Sequence, residues 1–267
     1  MASKFLMCAV DHFDVGYELN PWVNTRRAVN GQLARAQWQI LYKILTDQLG
    51  ADVDLIEPVN GLPNMVFTGN AGLVSGQVFI PSHFRQRERQ PETAFFESWF
   101  RERGYEIASL PKAYFFEGEG DAFIMGDVLI SGYRDPTDAH AHALVADILR
   151  CQRHSFKLVD DRFYRLDTCF LPLGATTAVY YPNAFQDSAA SALKKVLKKH
   201  IFLRLEEALN LVCHSIVVGK SLITPMACKP TNEMLKLLGY QVHPLDLSEF
   251  AKLGAGIKSL VLTLARE

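Results

Sequence analysis

Apolar and polar positions along the chain recur in one order, hairpin, helix, strand, four times over. In NMVFTGNAGLVSGQVFIPS (64–82), two apolar runs broken at Gly69-Asn70-Ala71-Gly72 predict a β-hairpin. PETAFFESWFRERGYEI follows as an amphipathic helix. Pro91 suits its first turn, Phe95, Phe96, Trp99 and Phe100 form an aromatic stripe, and Gly104 suits its end. YEIASLP closes the unit as a short strand. The second unit reads AYFFEGEGDAFIMGDVLISGY, DPTDAHAHALVADILRC and SFKLVD. The third reads RFYRLDTCFLPLGATTAVYYP, DSAASALKKVLKKH and IFLRLEE. The fourth opens with NLVCHSIVVGKSLITP and continues into the helix TNEMLKLLG, where Thr231 can cap the start and Gly239 can end it.

The hairpins begin near residues 65, 114, 163 and 211, and the same step leads to GIKSLVLTLA, a strand with no helix after it. The missing pieces stand at the other end of the chain. KFLMCAV reads as a strand, ARAQWQILYKILTDQLG as a helix with Trp38, Leu41, Ile44 and Leu45 on one face, and DVDLIEPV as a strand. A fixed period of about fifty residues signals radial or solenoid repetition. Ends that share one unit favour a closed ring, because closure removes exposed sheet edges. The expectation is a five-bladed α/β propeller of ββαβ units, in a single domain over residues 1–267.

Composition narrows the functions such a ring could serve. The 267 residues are 49% hydrophobic and 21% charged with a formal net charge of -1, which leaves no electrostatic footprint for nucleic acid. The N-terminal MASKFLMCAV lacks a signal-peptide core and no apolar run is long enough to span a membrane, so a cytoplasmic, membrane-free protein is expected. Five scattered cysteines without a CxxC pair fit a reducing compartment and no zinc site. His140 and His142, two apart on a helix, diverge and predict no metal. The outer helices could support a homodimer, although no apolar seam demands one.

In a ring of such units, equivalent positions converge on the axis. The polar residues there are Asn70 in FTGN, Glu117 and Asp121 in FEGEGD, Arg165 and Asp167 in FYRLDT, His214 in VCHS and Ser259 in GIKS. Buried polar groups aimed at one spot are costly unless paired or used. They form either a set of mutually satisfied plugs or a functional site.

Several stretches together resemble the guanidino-group-modifying superfamily: FDVGYELNPW (13–22), FTGNAGLV (67–74), FRQRER (84–89), FEGEGDAF (116–123), FYRLDTCFLPL (163–173) and DLSEFAKLGAGIKSLVLTL (246–264). Within it the chain is similar to the dimethylarginine dimethylaminohydrolases and to the arginine dihydrolases. The resemblance implies a five-bladed α/β propeller, no cofactor, and a small arginine-like ligand. It implies a cysteine that attacks the guanidinium carbon, and a histidine that protonates the leaving amine and then activates water. By position, Glu117 and Asp167 match the guanidinium-binding carboxylates, Asn70 the dihydrolase asparagine and Asn20 the asparagine of NPW. Asp121 lies beside them. Arg89 and Arg134 match the clamps for the amino-acid carboxylate, GYRDPTD being shortened around Arg134.

Two positions depart from the pattern: Arg165 stands for the histidine and Ser259 for the cysteine. A serine hydroxyl needs a positioned base, and arginine, protonated until above pH ~12, cannot be one. His214 is the remaining candidate base for Ser259. Arg165 carries the group that the family's substrate carries, so an internal ion pair with Glu117 or Asp167, bidentate and filling the site, is one reading. A surface arginine is the other. The chain is therefore either an inactive or regulatory relative or an active hydrolase of guanidino compounds with altered residues.

Overall fold

The structure, a computed structural model, describes residues 3–14, 20–23, 28–134 and 136–265. Residues 15–19 of FDVGYELNPW and Asp135 of GYRDPTD lie outside the described residues. Among those described, the strands form five sheets of three. They are β1 (Lys4–Cys8), β2 (Asp52–Ile56), β3 (Gly72–Ser75), β4 (Val78–Pro81), β5 (Glu106–Ile107), β6 (Ala122–Met125), β7 (Val128–Tyr133), β8 (Gln152–Lys157), β9 (Phe170–Pro172), β10 (Thr177–Tyr180), β11 (Lys199–Phe202), β12 (Ile216–Val218), β13 (Ser221–Pro225), β14 (Gln241–Leu245) and β15 (Leu262–Ala265). In β3-β4-β5, β6-β7-β8, β9-β10-β11 and β12-β13-β14 the first pair is antiparallel and the second parallel. The fifth sheet has the same pattern, but its antiparallel pair joins β15 to β1, with Lys4 opposite Ala265. The ring is the expected five-bladed propeller of ββαβ units.

Helices supply the crossovers that parallel pairs require: α1 (Gly31–Lys43), extended by a wider turn to Gln48, α2 (Glu92–Glu102), α3 (Ala139–Leu149), α4 (Ser188–Val196), the short α5 (Leu205–Leu209) and α6 (Lys229–Leu237). Helix α1 starts where the Asn30 side chain accepts the Leu33 N–H at 3.1 Å, and it buries Trp38, Leu41, Ile44 and Leu45 as its period predicts. On α2, Phe96, Trp99 and Phe100 are buried, with Phe100 stacked on Phe79 of β4 at 3.7 Å. Phe95 is 43% exposed and stands outside the stripe expected to include it, because it projects about 100° round the helix from the buried Phe96. No helix among the described residues is long and apolar enough to cross a membrane.

Two local readings need correcting. The first hairpin turns at Gly76-Gln77, with Gly76 in the left-handed region at φ +56°, and not at residues 69–72. Thr231 does not cap α6; the helix starts at Lys229, and the Thr231 hydroxyl donates to Glu207 of α5 instead. That tertiary partner outweighs the local capping preference.

Candidate active site

Each unit enters its first strand through one turn of 3-10 helix: Thr68–Asn70, Gly118–Gly120, Leu166–Thr168, Val212–His214 and Lys258–Leu260. The axial polar residues therefore sit on or beside turns rather than within strands, as the sequence had suggested. A turn exposes backbone N–H and C=O groups that a strand would have paired, and here they meet across units. The Thr68 hydroxyl donates to Leu6 O and Leu260 O, each at 2.9 Å. A Cβ on Gly69 would come 2.2 Å from Lys258 O, so glycine is what lets these two turns approach.

A cavity of about 500 Å³ opens at this convergence, and six of the expected residues line it: Asn20, Asn70, Arg89, Glu117, Arg134 and Arg165. Asp121, Asp167, His214 and Ser259 are buried behind that wall.

Arg165 is the hub. It is 5% exposed, and its Nη1 donates to Asn70 Oδ1 at 2.8 Å and lies 3.5 Å from Glu117 Oε2. Its Nε lies 3.4 Å from Asp167 Oδ1, and the guanidinium stands 4.9 Å over the Tyr164 ring. The ion pair expected to be bidentate to one carboxylate is instead a bridge between two. Arg165 enters the turn extended, at φ -134° and ψ 158°, while Asp167 lies inside the turn, and the fork spreads its Nη1 to Glu117 and its Nε to Asp167. Burial works against its charge, but Asp167, Tyr164 and Glu117 outweigh it and hold the guanidinium protonated.

Asp167 is fully buried and sits 3.4 Å from His214 Nε2 as well as from Arg165. Burial would raise its carboxyl, yet Arg165 and then His214 overcome this and hold it below the usual range. Asp121 serves the scaffold: it accepts the Thr137 hydroxyl at 2.7 Å and the Leu166 N–H at 3.1 Å, and burial pushes its carboxyl well up. Both oxygens are thus engaged by the chain, and Asp121 does not line the cavity.

No hydrogen bond joins His214 to Ser259. The Ser259 hydroxyl and both His214 nitrogens are buried without a hydrogen-bond partner among the described residues. Arg89 is held by Glu92, at 3.1 Å from Nε and 2.9 Å from Nη2, and lies 4.1 Å over Phe84. Arg134, partly exposed at the mouth, pairs with Asp161. The Asn20 amide donates to Tyr164 Oη and Leu253 O, each at 3.0 Å, so it ties the mouth together.

Sequence reasoning missed three contributors. Tyr164 forms the aromatic wall beneath Arg165, and its place beside Arg165 in FYRLDT was the available signal. Glu92, three residues after Arg89, was readable as an i, i+3 partner. Lys258, beside Ser259 in GIKS, makes a buried pair with Glu119 at 2.6 Å, and Thr263 N–H donates to the same carboxylate oxygen at 2.9 Å.

No protein-family model matches the chain. It is 40% identical over 266 residues to the bifunctional arginine dihydrolase/ornithine cyclodeaminase AgrE of Nostoc sp., across 97% of this chain and 37% of that protein. It is 33% identical over 261 residues to the N(G),N(G)-dimethylarginine dimethylaminohydrolase of Mycobacterium tuberculosis, across 98% of this chain and 85% of the relative. Among solved structures, unliganded AgrE matches with a TM-score of 0.95 at 38% identity, over 99% of this chain and 39% of that one. The product-bound N-terminal domain of ArgZ matches with a TM-score of 0.94 at 35% identity, over 100% of this chain and 98% of that one. Fold and site together define a pentein, the propeller of guanidino-group chemistry. Within that class, the chain belongs to the family of dimethylarginine dimethylaminohydrolases and arginine dihydrolases. It spans 37% of the length of the bifunctional relatives.

Proposed function

We propose that this chain is a non-hydrolysing member of its family, a ligand-binding or regulatory protein whose guanidinium site is occupied by its own Arg165. The carrying observation is the place of that side chain: bonded to Asn70 at 2.8 Å, and within 3.5 Å of both Glu117 and Asp167. By the resemblance, the two carboxylates would grip a substrate guanidinium, and Asn70 is the dihydrolase asparagine. The two departures remove the same chemistry twice. Ser259 is a poor nucleophile without a base, and Arg165 is neither a base nor a ready proton donor. Loss of a nucleophile or its base costs about 10⁶ in rate in a serine protease triad. His214, the one candidate substitute, faces Asp167 instead.

The relatives supply the contrast. ArgZ has been seen joined covalently to a reaction intermediate, and AgrE bound to L-arginine in a variant lacking one cysteine. The test is incubation of the purified chain with L-arginine and N(G),N(G)-dimethylarginine, assaying ammonia, dimethylamine, citrulline and ornithine. None is expected above the protein-free control, and release of any of them overturns the proposal.

A further inference from the structure

An arginine side chain carries five N–H donors. In Arg165, Nη1 is taken up by Asn70 and Glu117, and Nε faces Asp167. The two donors on Nη2 meet no protein acceptor among the described residues, although the side chain is 5% exposed and lines the cavity of about 500 Å³. Beside it, Asn70 Nδ2 is a buried donor without a partner among the described residues. Glu117 lines the same wall, and among the described residues its carboxylate meets the protein through the 3.5 Å contact to Arg165. The floor of the cavity thus presents unused donors and an under-used acceptor side by side.

That combination sorts ligands by charge. A guanidinium or ammonium entering from the mouth meets the fixed positive charge of Arg165. A carboxylate meets Glu117, with Asp167 behind it. A neutral planar group with a carbonyl oxygen next to an N–H suits both, its oxygen accepting from Arg165 Nη2 and its N–H donating to Glu117. Arg134 at the mouth, paired with Asp161 but still partly exposed, stands where a carboxylate at the ligand's far end can meet it. We propose that the cavity takes a small amino acid ending in a neutral carboxamide or ureido group, in place of the cationic one. This rests on the reading above, in which Arg165 keeps the guanidinium position.

Calorimetric titration of the intact protein with L-glutamine, L-citrulline, L-arginine and L-glutamate tests it. At least one of the first two should bind about ten-fold or more tighter than either charged ligand, a margin of about 1.4 kcal/mol. Arginine or glutamate binding as tightly as the better neutral ligand overturns the proposal, and so does the absence of binding by both neutral ligands. In Arg165→Met the preference should swing toward arginine by about ten-fold or more, and an unchanged ranking counts against Arg165 as the selector. Should that variant not fold, the ranking in the unaltered protein decides alone. The release assay on the same preparation separates the two ideas: products formed from arginine refute the loss of hydrolysis, whereas a wrong ranking with no products refutes the ligand class.

Discussion

Replacing Arg165 with alanine withdraws the cation that lies between Glu117 and Asp167 while leaving the cavity around it. Removing one partner of a buried ion pair costs about 3–5 kcal/mol, because the other charge stays in a poorly solvated place. Asp167 still faces His214 at 3.4 Å, which sets the expected loss at the lower end, about 3 kcal/mol. For a chain of this size that is a fall in Tm of about 6–12 °C. The hole left behind has the shape and charge of a guanidinium, so guanidinium ion itself should fill it. At ten times its Kd, a ligand restores about 1.4 kcal/mol, or about 3–6 °C. At ~20 mM its denaturing effect is only about 0.1 kcal/mol. The assay is differential scanning calorimetry of parent and variant in ~20 mM guanidinium chloride or sodium chloride. Guanidinium should raise the Tm of the variant alone. A loss below about 1 kcal/mol on substitution, or equal responses to the two salts, would refute the picture of Arg165 as an internal stand-in for substrate.

Three further outcomes follow from the same geometry. Restoring both departures, Arg165→His with Ser259→Cys, should give ammonia or citrulline from arginine above background, while either change alone should give none; silence from the double variant would mean the binding groups have also changed. His142 is fully buried in α3, and burial lowers its imidazole to about 3. The unfolded imidazole takes its proton near pH 6.5 and the folded one only near 3, so stability should decline as pH falls through that window, by about 2 kcal/mol at pH 5. Urea unfolding at pH 7 and pH 5 should show this drop reduced in His142→Leu, and parallel behaviour of the two proteins would contradict it. Gly69→Ala should cost about 3 kcal/mol or more in urea unfolding, since its Cβ would sit 2.2 Å from the backbone oxygen of Lys258; a loss near zero would show that the axial turns can shift.

The architecture was legible because it is written as a period, which survives errors in any one element. Four hairpin-helix-strand units, and a fifth divided between the chain ends, were enough to define the ring. What could not be read was the conformation of short stretches such as FTGN and GIKS. Three residues of 3-10 turn flanked by apolar residues have the same pattern as the end of a buried strand, and only cross-unit contacts such as Thr68 to Leu260 distinguish them. The hairpin break was misplaced for a similar reason. Gly69 and Gly72 are glycines required by close approach to neighbours, whereas Gly76 is the one that turns the chain. At the site, the period brought the polar residues together without saying which faced the cavity and which stood behind it. Asp121 and Glu117 are four residues apart, yet one is consumed by Thr137 and Leu166 while the other lines the wall. Such differences arise from side-chain partners contributed by other units, which local patterning does not encode.

The pairing of Lys4 with Ala265 bears on how the molecule comes into being. β1 cannot meet its antiparallel partner until β15 has been made, so that edge stays unpaired while the four blades between them are synthesised. Contacts between residues so far apart in sequence are slow to form, and open edges invite pairing with other chains. The axial turn at Lys258–Leu260 arrives with that last strand, so the cavity wall, Ser259 and the seal made by Lys258 with Glu119 are completed in one closing event. A nascent chain halted before that point would carry four blades and no finished pocket.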